Sequence, residues 1–426
     1  MNAIGIYSPF AYRRFRLSMG GTLSLCLIYV AIYLKDWASG WMSSSLALGV
    51  LVAGLAIGFG SIAIRSNPLR SLQPASLAAL LAFVVAWCLT LATTDTANLS
   101  SYYLAIPCAF VIVNTNPSAF FKVLLVHLVL TITIQFFEYA SGQYFFVYQA
   151  SDGTQLNEEL FGGGLGVFRA KGLFQGPLSA VAFAYWMAFL SRGSMVAAGA
   201  LFLCAFLASG RLGMLTACAL IAVRMLGGGR GASTKSLLLA FVVIALGAAA
   251  LFASADADRL YFISTALDLG NSQNQSRFEF WLAALTYFLS YSPLHLIFGN
   301  FGFILHQEGG SESDFLRLLL DCGVVGFGIY IAAIGALIGR AFRRGDREGL
   351  FIALTVIALM NIFPFVQSLS SSVLFWMYVI ATLSRPRFEQ AGRQRAGRPG
   401  RSARRALPAV LGTVPAPMSS HEKGPV

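Results

Sequence analysis

A succession of long apolar runs with almost no charge inside them constrains this chain more than any other feature. Twelve can be read, at 17–34, 45–64, 72–93, 99–113, 120–137, 173–190, 194–208, 212–226, 236–253, 315–338, 349–367 and 368–384. A helix needs about 20 apolar residues to cross the hydrocarbon core of a bilayer. Inside that core each backbone N–H and C=O must find its partner within the protein, which leaves helices or a closed barrel. Uninterrupted apolar runs of this length predict helices. The expected fold class is all-α: a polytopic integral membrane protein of about 12 transmembrane helices. Three runs, 99–113, 194–208 and 212–226, are short and must borrow flanking residues or tilt little. Composition agrees. The chain is 57% hydrophobic and 11% charged, with mean hydropathy +0.70, where a soluble domain carries about 25% charged residues.

Charge orients the bundle. With the N-terminus in the cytoplasm and the spans alternating, 23 of the 30 Lys and Arg fall on the cytoplasmic side. Of the 18 acids, 14 fall on the opposite side or near it. Cytoplasmic loops of membrane proteins carry the excess of Lys and Arg, so both termini are expected in the cytoplasm. The net charge of +12 therefore reads as topology, and a nucleic-acid partner is not expected. The first run follows Arg13, Arg14 and Arg16, is long, and lacks a clean small-x-small cleavage site, so it reads as an uncleaved anchor.

Two domains are expected: a transmembrane domain over 1–384 and a basic, disordered cytoplasmic tail over 385–426, rich in Arg, Gly, Pro, Ala and Ser. Two outer loops are long, about 138–172 and about 254–314; long ordered loops in compact proteins are usually functional. The second contains an amphipathic stretch from Phe278 to Leu289, suited to short helices lying on the membrane surface among the lipids. No internal repeat is visible, so the pattern of an inverted-repeat transporter is not seen. The six cysteines lie inside apolar runs without a CxxC, and the four histidines are scattered. No metal-ligand spacing results, and no metal or cofactor is expected.

The few outer-face arginines are the first candidates for chemistry. Arg169, Arg211, Arg277 and Arg317 escape the positive-inside rule. A guanidinium presents a rigid fork of donors that matches phosphate oxygens, although span-end arginines also snorkel. Arg211 sits between two short runs, at or below the membrane surface, where a charge usually faces a cavity. The second candidate group is Glu312, Ser313 and Asp314 at the mouth of a run. Either acid suits a general base, and His306 is a spare base. Ser313 and Asp314 equally suit a helix cap. Asp321 lies deeper in the same run, and an i, i+4 pair with Arg317 would be structural. No phosphate-binding GxxxxGKS/T loop and no GxSxG elbow are present, so any substrate must arrive already activated.

Three patches resemble the Wzy-type O-antigen polymerase and O-antigen ligase superfamily of bacterial inner membranes. Arg169-Ala-Lys-Gly-Leu-Phe-Gln-Gly-Pro177 resembles its R-x-x-G-x-F/L-x-x-P segment. Ala208-Ser-Gly-Arg-Leu-Gly213 resembles its S-R-x-G patch. Arg277 with Trp281, Pro293 and Gly299-Asn-Phe-Gly302, followed by Glu312 to Gly326, resembles the large periplasmic loop and the span after it. The resemblance implies metal-free glycosyl transfer at the periplasmic face, from a glycan linked through a diphosphate to undecaprenol. By position, Arg169 and Arg277 grip the diphosphate and Arg211 shapes the cavity. A chain-length regulator and export machinery are the implied protein partners. Ligases of the family carry His where Glu312 stands and Asn where Ser313 stands. The expected activity is therefore polymerisation of O-antigen, capsule or exopolysaccharide repeats. Ligase-type transfer to a lipid or protein acceptor, or transport of a lipid-linked sugar, are the alternatives.

Overall fold

The computed structural model describes residues 19–35, 43–64, 72–94, 98–146, 168–226, 272–301, 313–362 and 365–384, all within one compact unit, Met1–Ser384. Among them all regular structure is helical. We number the helices α1 Met19–Tyr29, continued by a π-helical turn Val30–Leu34, α2 Ser44–Ala63, α3 Pro74–Thr94, α4 Ser101–Thr115, α5 Pro117–Ser141, α6 Pro177–Leu190 and α7 Met195–Leu207. They continue as α8 Arg211–Leu226, α9 Ser272–Leu289, α10 Pro293–Phe298, α11 Asp314–Arg344, α12 Arg347–Ile362 and α13 Leu369–Leu383. Four of the described helices, α2, α3, α5 and α11, are long and apolar enough to cross a membrane. The run at 236–253 and the tail from 385 lie outside the described residues.

Exposure divides the helices into two kinds. On α2 and α3, Leu46, Val52, Leu81, Val84 and Val85 stand exposed, as lipid-facing side chains would. On α4, α6 and α13 nearly every side chain is buried. A helix apolar on all sides is a core helix. These core helices are short. The 14 residues of α6 rise about 21 Å, against about 30 Å of hydrocarbon. Close packing explains part of the arrangement. Gly54 on α2 faces α1, Gly58 sits between Ser24 of α1 and Val111 of α4, and Ser24 Oγ donates to the Gly54 carbonyl at 2.6 Å, a small-residue contact of the kind that joins membrane helices.

Helix boundaries differ from the apolar runs where glycine and proline intervene. The run at 173–190 becomes helical only at Pro177, which occupies the first turn of α6. Ahead of it, residues 168–176 form irregular backbone in which Ala170, Lys171, Leu173 and Phe174 are buried. In the run at 349–367, α12 covers Arg347–Ile362, residues 363–364 lie outside the described residues, and 365–367 are not helical. The run at 315–338 lengthens to Arg344 but breaks at Gly323, with φ 62° and ψ −168°. The amphipathic stretch is helical from Ser272 to Leu289, and its Ala284 and Phe288 join Tyr291 and Leu320 in a small separate core.

Candidate functional site

The turns of the bundle gather at two ends. One end contains residues 142–146, 168–176, 208–210, 299–301 and 365–368. The other contains 116, 191–194 and 345–346. Of the candidate residues, Arg169, Asp314 and Arg317 are described with their side chains, and they lie towards the first end.

Its best-built feature is the 168–176 segment. Ala170 N–H donates to the Leu207 carbonyl at 3.1 Å and Arg169 Nε to the Ala208 carbonyl at 3.2 Å. Ser209 Oγ donates to the Phe168 carbonyl at 3.5 Å. The segment is thus laced to the α7–α8 turn, and Arg211 opens α8 immediately beyond it. Ser209 has φ 52°, alone among the described non-glycine residues in having positive φ. Outliers of this kind cluster at functional sites. Gly213 has a reason of its own: a Cβ there would stand 2.6 Å from Ala205 Cβ, so glycine lets α8 close on α7. The structure therefore brings the backbones of two predicted arginine patches, 169–177 and 208–213, into one element. The Arg211 side chain lies outside what is described.

A buried carboxylate holds the other side of the segment. Glu138, near the end of α5, is 0% exposed. Its Oε2 accepts from the Lys171 N–H at 2.9 Å and the Gly172 N–H at 2.8 Å, and Oε1 from the Phe145 N–H at 3.3 Å. Gly172 must be glycine. Its φ is +61°, and a Cβ would stand 2.7 Å from the Thr131 carbonyl oxygen. Tyr144 O–H donates to the Arg169 carbonyl at 3.1 Å, and Lys171 Nζ lies 5.2 Å from the Tyr144 ring centroid, within cation–π range. Burial holds the Lys171 ammonium below the usual lysine range, with the Glu138 charge acting in the opposite direction. Glu138, Tyr144 and Lys171 are site-building residues that sequence reasoning passed over. The available signal was an acid at the end of an apolar run, followed by a basic R-x-K-G turn.

The α11 mouth is resolved differently. Asp314 is 1% exposed. Its Oδ2 accepts from the Phe365 and Val366 N–H groups at 2.6 and 2.7 Å, and Oδ1 from Tyr102 O–H at 3.1 Å. Three donors commit that carboxylate to stapling α11, α4 and the 365–366 turn, so of its two sequence readings the geometry favours the structural one. Arg317 Nε donates to Asp321 Oδ2 at 3.2 Å, the i, i+4 pair anticipated as structural. Glu312 and His306 lie outside the described residues. Arg277 lies on α9, its side chain outside what is described.

The break in α11 explains the glycines of the third patch. Gly299 and Gly323 both have positive φ, 85° and 62°, and their backbones cross. A Cβ on either would collide with the other strand of backbone. The carbonyls at the break are taken: Leu320 O by the Asn300 N–H at 2.8 Å and Asp321 O by Asn98 Nδ2 at 2.7 Å. Carbonyls freed by a broken helix coordinate ions in some transporters; both of these are engaged by the protein. No protein-family model matches the chain, and no curated protein matches it.

Proposed function

We propose that the chain is a multi-pass membrane glycosyltransferase that polymerises undecaprenyl-diphosphate-linked oligosaccharide repeats at the periplasmic face of a bacterial inner membrane. In this reading about 12 helices span the bilayer, with both termini cytoplasmic. The observation that carries it is the buried segment bearing Arg169, laced to the turn that precedes Arg211. Irregular backbone at membrane depth is tolerated only where protein buries it or where it lines a cavity. In this reading the segment and the turn it is laced to bring Arg169 and Arg211 to one end of the bundle. Arginine forks there suit the charge that develops on a departing diphosphate. The diphosphate leaves with the bridging oxygen of the broken glycosyl bond while an acceptor sugar hydroxyl forms the new one. Glu312, as general base, takes the hydroxyl proton. Arg277 completes the grip; Asp314 holds the α11 mouth in place.

The test is genetic and chemical. A Glu312→Gln strain is expected to accumulate single lipid-linked repeats, read by mass spectrometry. Full-length chains left unattached would instead support ligase-type transfer. Unchanged polymer would remove Glu312 from the mechanism.

A second reading, transport of a lipid-linked sugar, is favoured by a polar face on α5. His127, Thr131 and Gln135 are at most 1% exposed there, and among the described residues His127 Nε2, Thr131 Oγ1 and Gln135 Oε1 have no hydrogen-bond partner. Polar groups inside a span commonly mark a substrate path. Flux of lipid-linked sugar across proteoliposomes without elongation would select it.

A further inference from the structure

The turn from α11 to α12 carries charge of one sign on its outside. It reads Arg343-Arg344-Gly345-Asp346-Arg347-Glu348, and Gly345 takes φ +60° to close α11. Both acids are drawn inward. Asp346 pairs with Arg192. Glu348 pairs with Arg224 at 2.9 Å and accepts from the Gly193 N–H at 3.1 Å. Arg340 is also turned inward, donating to the Leu383 carbonyl at 2.7 Å. Arg343, Arg344 and Arg347 are left exposed. Among the described residues, no carboxylate lies within 4.0 Å of any of the three. Phe342, beside them, is 77% exposed. Arg347 opens α12, whose N-terminus Asp346 caps by accepting from the Gly349 N–H at 2.9 Å.

We infer that this turn is a docking surface for anionic phospholipid headgroups. The arginine forks meet phosphodiester oxygens, and Phe342 enters the boundary between headgroups and acyl chains. Inward pairing of the acids keeps the outward charge from being cancelled. An aromatic ring exposed at the end of a span-length apolar helix fits a lipid boundary better than a soluble polyanion. The inference rests on the membrane reading and is independent of glycosyl transfer.

The test places the full chain in vesicles of equimolar phosphatidylcholine and phosphatidylglycerol, extracts it, and counts retained lipids by native mass spectrometry. Wild type is expected to retain phosphatidylglycerol preferentially. R343Q/R344Q/R347Q is expected to lose that preference, by about fivefold in affinity per arginine. R343K/R344K/R347K keeps the charge and is expected to retain most of it, and F342A falls between. Equal retention of the two lipids by wild type overturns the inference. So does unchanged phosphatidylglycerol retention in the glutamine variant, which would assign binding to another basic segment. If the triple variant is not recovered folded, R344Q alone decides: about fivefold weaker retention supports the surface, and wild-type retention overturns it.

Discussion

The two ends of the bundle satisfy their buried charges in opposite ways. At the end holding residues 191–194 and 345–346, acids meet arginines. Arg224, 5% exposed, pairs with Glu348 and also donates to the Ala188, Ser191 and Ser194 carbonyls. At the opposite end the fully buried Glu138 takes only backbone N–H donors, and Asp314 takes two N–H groups and a tyrosine hydroxyl. Neutral donors stabilise a carboxylate without consuming a cation. The first end is a lock, in which opposite charges are matched inside the protein. The second end spends its acids on backbone geometry, and Lys171 rests on the π face of Tyr144. Arg317 with Asp321 is the exception there. A protein that must receive a diphosphate at one end and only hold together at the other would be divided in this way.

Five substitutions test that contrast, taken in order of falling expected loss. Arg224→Ala leaves Glu348 uncompensated and is expected to cost about 3–5 kcal/mol of stability, seen as a lower melting temperature in detergent. The folded fraction should keep wild-type turnover. Arg169→Ala is expected to reverse that pattern, with a loss of about 100-fold or more in polymer formation against only about 1 kcal/mol of stability, from its bond to the Ala208 carbonyl. Arg277→Ala should do the same, and lysine at either position should rescue poorly because it lacks the fork.

Glu138→Gln is intermediate. It keeps the shape but turns an amide towards N–H donors, and is expected to cost about 1–3 kcal/mol. It should weaken both melting and activity, because it loosens the segment that carries Arg169. Lys171→Met gives the smallest and most informative result. Burial lowers the pKa of this lysine in the folded chain, so the folded state binds its proton less tightly than the unfolded state does. Its contribution to stability therefore improves as pH rises through the folded pKa towards the unfolded one. The methionine variant should flatten that alkaline slope in melting measurements. A loss of stability at every pH would show that Lys171 is held by contacts stronger than the tyrosine ring.

Much of the helical frame was legible because apolar runs are long and charges rare. Eleven of the twelve runs fall on described helices. The patch glycines were legible as motif letters, and the structure supplies their reasons: Gly172 against Thr131, Gly213 against Ala205, Gly299 against the break at Gly323. What could not be read was pairing over long separations. Nothing in the sequence near Glu138 shows that it meets a turn 33 residues later, nor does anything near Asp314 reveal the 365–366 N–H groups. Burial of 168–176 also escaped, since hydropathy registers apolar side chains and not irregular backbone. Asp314 shows the reverse: its rank as an acid suggested chemistry, while its hydrogen bonds describe a staple.

On the proposed function, the end bearing Arg169 takes up a diphosphate. This uptake is tested most directly by titrating a short-chain polyprenyl diphosphate onto the purified chain in nanodiscs, wild type against Arg169→Ala. Wild type is expected to bind saturably, and the variant about tenfold or more weaker. Equal binding by the two proteins, or none by wild type, would contradict this reading.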